Sequence, residues 1–474
     1  MKTSKLLKLL HYLKPKERQE LEKYIKPSLK SISSLYQFIK KAKFQTEAKS
    51  LEKTVIWEKL FGKRKKYSSH YLGDIMSKLS RIVEQFMTEK QFETDKNHQN
   101  YLLLKALKER FATDLFLPYH ENISADLQNQ NPNTNTFYYE YLHKELLYEF
   151  AISNQNEKID IDLWQVLATF ERYSLLHKLQ YICAILNEAS VVKQSENDQQ
   201  KASKMAENVM QQIAIFDGKD FIIDLYAAVL QLQQSKKEED YFCLKGMLLS
   251  EKNNVGKEDI LFITTVASNF CSQKIRTGKS NFYAEMFEIY QYMLAAGLLK
   301  NGRYIDPQYA KNMVTLGLRS QKYDWIKDFI SNYKDKIAPK FRESVYHYNL
   351  GVYYFYIENY QKSLLNLSLM ERFDVFFELD YRLLLLKNYY ELGEILAFND
   401  LLFSFRKYIE RQEQQTQNNK SAYYNFLKYA KLLFNKKMNK ETIDKSSIDE
   451  ITKIDLLIER AWLLEKTKVY LPSL

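Results

Sequence analysis

Apolar residues recur at helical spacing along most of the chain, and short polar stretches separate the runs. Leu6, Leu10 and Leu13 fall on one face of a first helix. LEKTVIWEKLF follows with Val55, Ile56, Leu60 and Phe61, and Gly62 is placed to end that helix. Ser68 or Ser69 can then cap YLGDIMSKLSRIVEQFM, where Leu72, Ile75, Leu79, Ile82 and Phe86 repeat at helical spacing. Asp95 to Asn100 reads as a polar break. YLLLKALKERFATDLF reads as a helix that ends before Pro118, and residues 119–136 as a mobile, Asn-rich loop too poor in apolar surface to order itself. Beyond it, FYYEYLHKELLYEFAIS and LWQVLATFERYSLLHKLQYICAILNEAS are helix runs divided by SNQNEKIDID. MAENVMQQIAIF, FIIDLYAAVLQLQQ, EEDYFCLKGMLLSE and EDILFITTVASNFCSQK continue the series with short polar turns, the pattern of antiparallel helix pairs.

From Phe282 the pattern tightens into degenerate repeats, clearest in residues 341–374. Leu350, Tyr354 and Ile357 recur at i, i+4 and i+7, and Leu364, Leu367 and Met370 at i, i+3 and i+6, with Glu358-Asn359 offering a turn between them. Set against the tetratricopeptide pattern W-x2-L-G-x2-Y followed by A-x3-F, the chain supplies His347, Leu350, Gly351, Tyr354, Ser363 and Leu367. Gly351 costs about 1 kcal/mol against Ala in a helix interior, which points to a close helix contact there. Tyr323 and Tyr360 stand 37 apart at comparable second-helix starts, and Tyr354 and Tyr389 stand 35 apart in comparable first helices. Residues 410–420 form a solvated linker before two closing helices, and a polar terminal helix is the usual cap of a repeat array. The order IWEKLFGK…YLGDIMSKLSRIVEQF near the start and YDWIKDFI…YNLGVYYFY…NYYELGEILAFNDLLFSF near the end resembles an uncharacterised bacterial family of long tetratricopeptide-like helical proteins over most of the chain. The resemblance implies packing motifs and brings no activity, cofactor or functional residue with it. His347, Ser363 and Val375 stand where a standard tetratricopeptide has Trp, its first Ala and Pro.

The expected fold is therefore all-α: a right-handed α-α solenoid of degenerate tetratricopeptide-like hairpins with a basic helical unit at its N-terminus. The expected parts are that basic unit over 1–98, a middle array of helix hairpins over 99–260, and the repeat solenoid with its capping helices over 261–474. Composition agrees. Eleven Gly and seven Pro in 474 residues are too few to punctuate a sandwich or barrel. The 36 Tyr and 28 Phe suit wide helix contacts, each ring burying about 150 to 250 Å2. Cys183, Cys243 and Cys271 lie far apart in helical runs, which removes a disulfide framework and a Cys-x-x-Cys metal site and implies a reducing compartment. MKTSKLLKLLHYLKPK lacks the uninterrupted apolar run and cleavage site of a signal peptide, and no stretch of about 18 apolar residues could span a membrane. A cytoplasmic protein is expected.

The net charge of +11 is concentrated at one end. Residues 1–90 hold 22 Lys and Arg against 9 Asp and Glu, whereas the remainder holds 48 against 50. Lys63, Arg64, Lys65 and Lys66, followed by Tyr67 and Tyr71 and with Lys40, Lys41 and Lys43 nearby in sequence, form the best binding patch: cations neutralise phosphates and tyrosines stack on unpaired bases. A solvated, solubilising loop is the simpler reading and the favoured one, since no helix-turn-helix or RNA-binding signature accompanies the patch.

Catalytic candidates are weaker still. RTGKS at 276–280 ends like a phosphate loop, but Gln273 stands where its first glycine belongs and no strand precedes it. Glu140 and His143 share a helix face, as in di-iron bundles, but no second copy exists, and a solvated or hydrogen-bonded pair is the better reading. The seven histidines include no H-E-x-x-H, and no Gly-x-Ser-x-Gly elbow is present. His347 reads as a packed, hydrogen-bonded residue of the repeat, and Glu238-Glu239 as a charged turn with nothing to raise a pKa. The expectation is thus a protein without catalytic, metal or cofactor residues. It would act as a scaffold that binds a peptide or helix of another protein in a concave groove, with nucleic-acid association through the basic unit as the alternative. Replacing Lys63, Arg64, Lys65 and Lys66 by Ala should change stability by less than about 0.5 kcal/mol in denaturant titrations. If the patch contacts phosphates, the same change should flatten the salt dependence of nucleic-acid binding.

Overall fold

The computed structural model describes all residues except 1–3, 27, 43–51, 63, 154–162, 192–195, 217–219, 251–254, 371–374, 413–416 and 469–474. The described residues are all-α apart from one two-residue-strand hairpin, and the chain forms two compact units, residues 1–174 and 175–474.

In the first unit, α1 (Lys5–Tyr12), α2 (Pro15–Ile25), α3 (Lys30–Lys41), α4 (Lys53–Phe61) and α5 (Ser69–Thr94) enclose one apolar core. Leu6, Leu10, Leu35, Ile39, Ile56, Leu72, Leu79 and Val83 are all buried in it. The boundaries follow from caps. Ser4 accepts from the Leu7 N–H, Ser68 accepts from the Tyr71 N–H, and Gly62 ends α4 with φ +85.

A second core lies among α6 (Lys96–Glu109), α7 (Thr113–Gln128) and α8 (Thr134–Ser153), where the Phe116 and Phe150 rings stack with centroids 4.0 Å apart. Two sequence expectations are corrected here. The break at Asp95–Asn100 shrinks to Asp95 alone, whose carboxylate caps α6 by accepting from the His98 N–H at 3.0 Å. The stretch 119–136 is mostly helix, because α7 runs through Pro118 to Gln128. Pro118 lacks the N–H that would reach the Asp114 carbonyl. Phe116, Ile123 and Leu127 nevertheless share a buried face, and each contributes about 1.5–3 kcal/mol, more than the lost bond. Counting polar residues missed a narrow apolar stripe.

In the second unit, which begins inside α9 (Leu163–Val191), α10 (Glu196–Ile215) is followed by a run of helix pairs: α11 (Phe221–Ser235) with α12 (Glu238–Leu248), and α13 (Lys257–Arg276) with α14 (Phe282–Ala295). After strands β1 (Lys300–Asn301) and β2 (Tyr304–Ile305) come α15 (Pro307–Arg319) with α16 (Tyr323–Tyr333), α17 (Arg342–Tyr356) with α18 (Tyr360–Ser368), and α19 (Val375–Leu392) with α20 (Ile395–Glu410). The first helices α15, α17 and α19 also touch in sequence, and α21 (Gln417–Asn439), α22 (Lys445–Lys453) and α23 (Arg460–Lys468) complete the unit. Tyr323 and Tyr360 each begin a second helix, as their spacing implied. The β-hairpin was not foreseen. Gly302, with φ +65 at the first loop position, gives the two-residue turn it needs, and Ile305 also bridges in parallel to Ile337 beyond α16.

The α17–α18 contact is close. Ser363 Oγ donates to the Gly351 carbonyl at 2.7 Å, and both residues are buried with Leu367 beneath them. Leu350 and Tyr354 are only half-buried and Ile357 is exposed; the deeper positions of α17 are Val345, Tyr348, Val352 and Phe355. A helix packed against α15, α18 and α19 buries more than one stripe, so the face read from the sequence is the shallower one. Tyr360 sets its ring edge-on to Phe355 at 5.6 Å. No helix among the described residues is long and apolar enough to cross a membrane.

A Cβ at Gly351 would stand 3.0 Å from Leu367, whereas one at Gly317 in α15 would collide with Ile326 and come within 2.9 Å of Phe287. Gly317→Ala should therefore cost about 1–3 kcal/mol and Gly351→Ala less, while Gly351→Leu should reach about 1–3 kcal/mol. Thermal melts would check this order. Equal melting temperatures for the wild-type and Gly317→Ala chains would refute the close approach.

Candidate functional site

The basic patch is partly held by packing. Lys63 and Lys43 lie outside the described residues, and Arg64, Lys65 and Lys66 are exposed with no ion pair to a described residue. Trp57 Nε1 donates to the Lys65 carbonyl at 3.0 Å, which pins the loop to α4. Tyr67 and Tyr71 keep 39% and 48% of their surface but lie edge-on to Trp57, with centroids 5.7 and 6.1 Å away. Their rings serve the Trp57–Phe61 cluster, which leaves less of them for stacking on bases. Other cations of the first unit are ion-paired: Lys40 with Glu22, Lys5 with Glu84, and Lys90 with Glu20.

The remaining motifs separate into turns and packing. RTGKS is the turn from α13 to α14, with Gly278 at φ +92 and Lys279 paired to Glu238 of α12. His347 is half-buried and bonds Asn366 Oδ1 through Nδ1 at 3.2 Å. Among the described residues, no three His, Cys, Asp or Glu side chains gather where they could hold a metal ion.

Glu140 and His143 do line one cleft, of about 670 Å3, formed by α7, α8 and Arg172 of α9. Their chemistry diverges inside it. Glu140 pairs with Arg172 at 2.7 Å, and the guanidinium lies 3.7 Å above the Phe137 ring. His143 is 1% exposed, and neither ring nitrogen has a hydrogen-bond partner. His120, from α7, meets the His143 carbonyl through Nε2 at 3.2 Å. Burial pushes both imidazoles down to about 4, so both are neutral at pH 7. A neutral pair with one member sealed away is a core feature, and Glu140 is already committed to an arginine.

The second unit holds a different arrangement, which the sequence reading missed. Arg319 ends α15 and its guanidinium faces the rings of Tyr283 (α14) and Tyr356 (α17) at 5.6 and 5.4 Å. Lys387, in the middle of α19, lies 5.1 Å from the Phe355 ring. Both cations reach one carboxylate, that of Glu459 in the turn before α23: Arg319 Nη2 at 3.3 Å and Lys387 Nζ at 3.0 Å. Beside them Lys311 of α15 pairs with Asp380 of α19 and lies 5.2 Å from Phe377. Burial opposes the charge on Glu459, but Lys387 and Arg319 outweigh it and hold the carboxyl at about 2. Burial raises Asp380 in spite of Lys311. It also raises Tyr348 and Tyr356, so both stay protonated. The only sequence signal was a basic residue inside an apolar run, Lys387 in RLLLLKNYYEL, together with Lys311 and Arg319 eight apart on one face. Their partner lies 72 residues beyond Lys387 and 140 beyond Arg319, outside any local motif.

No family model, curated protein or solved structure matches the chain.

The buried imidazoles give a pH dependence with a definite sign. Their folded pKa values lie below the unfolded value of about 6.5, so the unfolded chain binds protons first and stability is lost as pH falls from about 6.5 towards 4. Each should cost roughly 2 kcal/mol by pH 5. His143→Leu should remove about half of that acid loss and, by deleting two unsatisfied nitrogens, leave stability at pH 7.5 unchanged or higher. Denaturant titrations at pH 7.5 and 5 would measure it, and an acid loss equal to the wild type's would show that His143 is not held neutral.

Proposed function

We propose that the protein is a non-enzymatic interaction scaffold. In this reading unit 175–474 is a degenerate tetratricopeptide-like solenoid that receives a segment of a partner protein along its first helices, in the cytoplasm. The observation that carries the proposal is the trio Lys311, Arg319 and Lys387, set among tyrosine and phenylalanine rings on α15 and α19. Charges withdrawn from water cost free energy, and apolar replacements for a buried ion pair are often neutral or stabilising. A repeat stack selected for stability alone has no need of three cations there. A binding surface does, since tyrosine and arginine are the residues that anchor partners most often. The analogy from repeat architecture to peptide binding is one of fold and adds support of that kind only.

Nucleic-acid association through Arg64, Lys65 and Lys66 is the second reading. The engagement of Tyr67 and Tyr71 with Trp57 weighs against it.

The test is affinity capture from nuclease-treated lysate of the cells that make the protein. The full wild-type chain would be compared with one carrying Arg319→Gln and Glu459→Gln, which removes a cation and an anion together. We expect specific proteins retained by the wild type and reduced about tenfold or more by the double variant. Identical retention by both chains, or retention that nuclease abolishes, would overturn the proposal.

A further inference from the structure

The residues from Ile454 to Glu459 form the non-helical turn between α22 and α23. Arg460 holds its start by donating to the Thr452 and Ile454 carbonyls, and Asn425 Nδ2 donates to the Leu456 carbonyl at 2.8 Å. At its end Glu459 takes φ +50, the left-handed region that side-chain-bearing residues seldom enter.

Glu459 is an imperfect guest in the pocket it fills. Both cations meet the same oxygen, Oε2, and no described residue donates to Oε1. The Arg319 contact is single and 3.3 Å long, whereas charge-assisted arginine–carboxylate contacts run about 2.7–2.9 Å and are frequently two-pronged. The Glu459 side chain as a whole keeps about a quarter of its surface, although its carboxylate lies among buried cations. With Glu459 withdrawn, Arg319, Lys387 and Lys311 would face Asp380 and, at Arg319, the more distant Glu465, which still leaves a net positive recess walled by tyrosines.

We infer that the Arg319–Lys387 pocket accepts a glutamate or aspartate side chain from an acidic segment of a partner protein, and that Glu459 occupies it within the chain until the partner displaces the α22–α23 turn. The inference rests on the interaction-scaffold reading and gives it a partner chemistry and a latch. A carboxylate free of the helix boundary can present both oxygens, one to the Arg319 fork and one to Lys387, and relieves the left-handed backbone as it expels Glu459. The packing of Trp462 against Tyr390, with centroids 5.0 Å apart, and the pairing of Lys466 with Glu391 at 2.7 Å would keep α23 attached while the turn opens.

The test uses the full chain and a labelled, end-capped hexaglutamate peptide, with hexaglutamine as control, read by fluorescence anisotropy at one salt concentration. Glu459→Gln should raise hexaglutamate affinity about tenfold or more over the wild type. Adding Arg319→Gln should abolish that gain and bring the affinity below the wild-type level, and hexaglutamine should bind none of the chains. Background from the basic residues 1–90 is common to all three chains and drops out of the comparison. Glu459→Asp, which keeps the charge on a shorter arm, should give an intermediate gain and serves if Glu459→Gln melts below the assay temperature. Equal hexaglutamate affinity across folded variants would overturn the latch. If capture of a partner through Arg319 persisted in that case, the scaffold reading would stand without it; if capture failed too, both would fall.

Discussion

A helix pair of the second unit cannot bury both of its sides by itself, and that constraint governs everything built on it. α17 is the plainest case: α18 covers one side, and α15 and α19 cover others, so Val345, Tyr348, Val352 and Phe355 are inaccessible only while the neighbours are present. The close approaches at Gly317 and Gly351 make that mutual coverage tight, and the hydroxyl of Ser363 satisfies a carbonyl where a larger side chain would hold the helices apart. Because the first helices are set against one another in this way, residues distant in sequence, Lys311, Arg319 and Lys387, come to share one recess.

Much of the fold was legible because its signals are local. Helical spacing located most helices, and caps such as Ser68, Gly62 and Asn359 act within a few residues of where they stand. Two errors share a cause. Average polarity hides the helix in residues 119–136, and the most regular stripe of α17 is not its deepest face, because burial is decided by which neighbours arrive, and three apolar residues in α7 suffice. The β1–β2 hairpin is too short for any periodicity to register.

Sites were less legible than elements. Packing residues such as Gly351, Ser363 and Leu367 could be inferred because a repeat pattern prescribes them together, and the structure joins them in one contact. The Arg319–Lys387–Glu459 cluster has no such pattern, since its members come from two helices and a turn. Conversely, Glu140 and His143 looked like a site for their spacing alone; a third residue, Arg172, takes the carboxylate, and burial silences the imidazole.

The parallel bridge between Ile305 and Ile337 adds something the helix pairs lack. It joins the backbone just before α15 to the backbone just after α16, and both isoleucines are buried. A helix pair closed at its base by main-chain pairing resists fraying at that end, because unwinding the last turn of α16 away from α15 breaks the bridge and exposes two buried side chains together. Amide hydrogens at that base, in the first turn of α15 and the last turn of α16, are therefore expected to exchange through a shared opening instead of independent end-fraying.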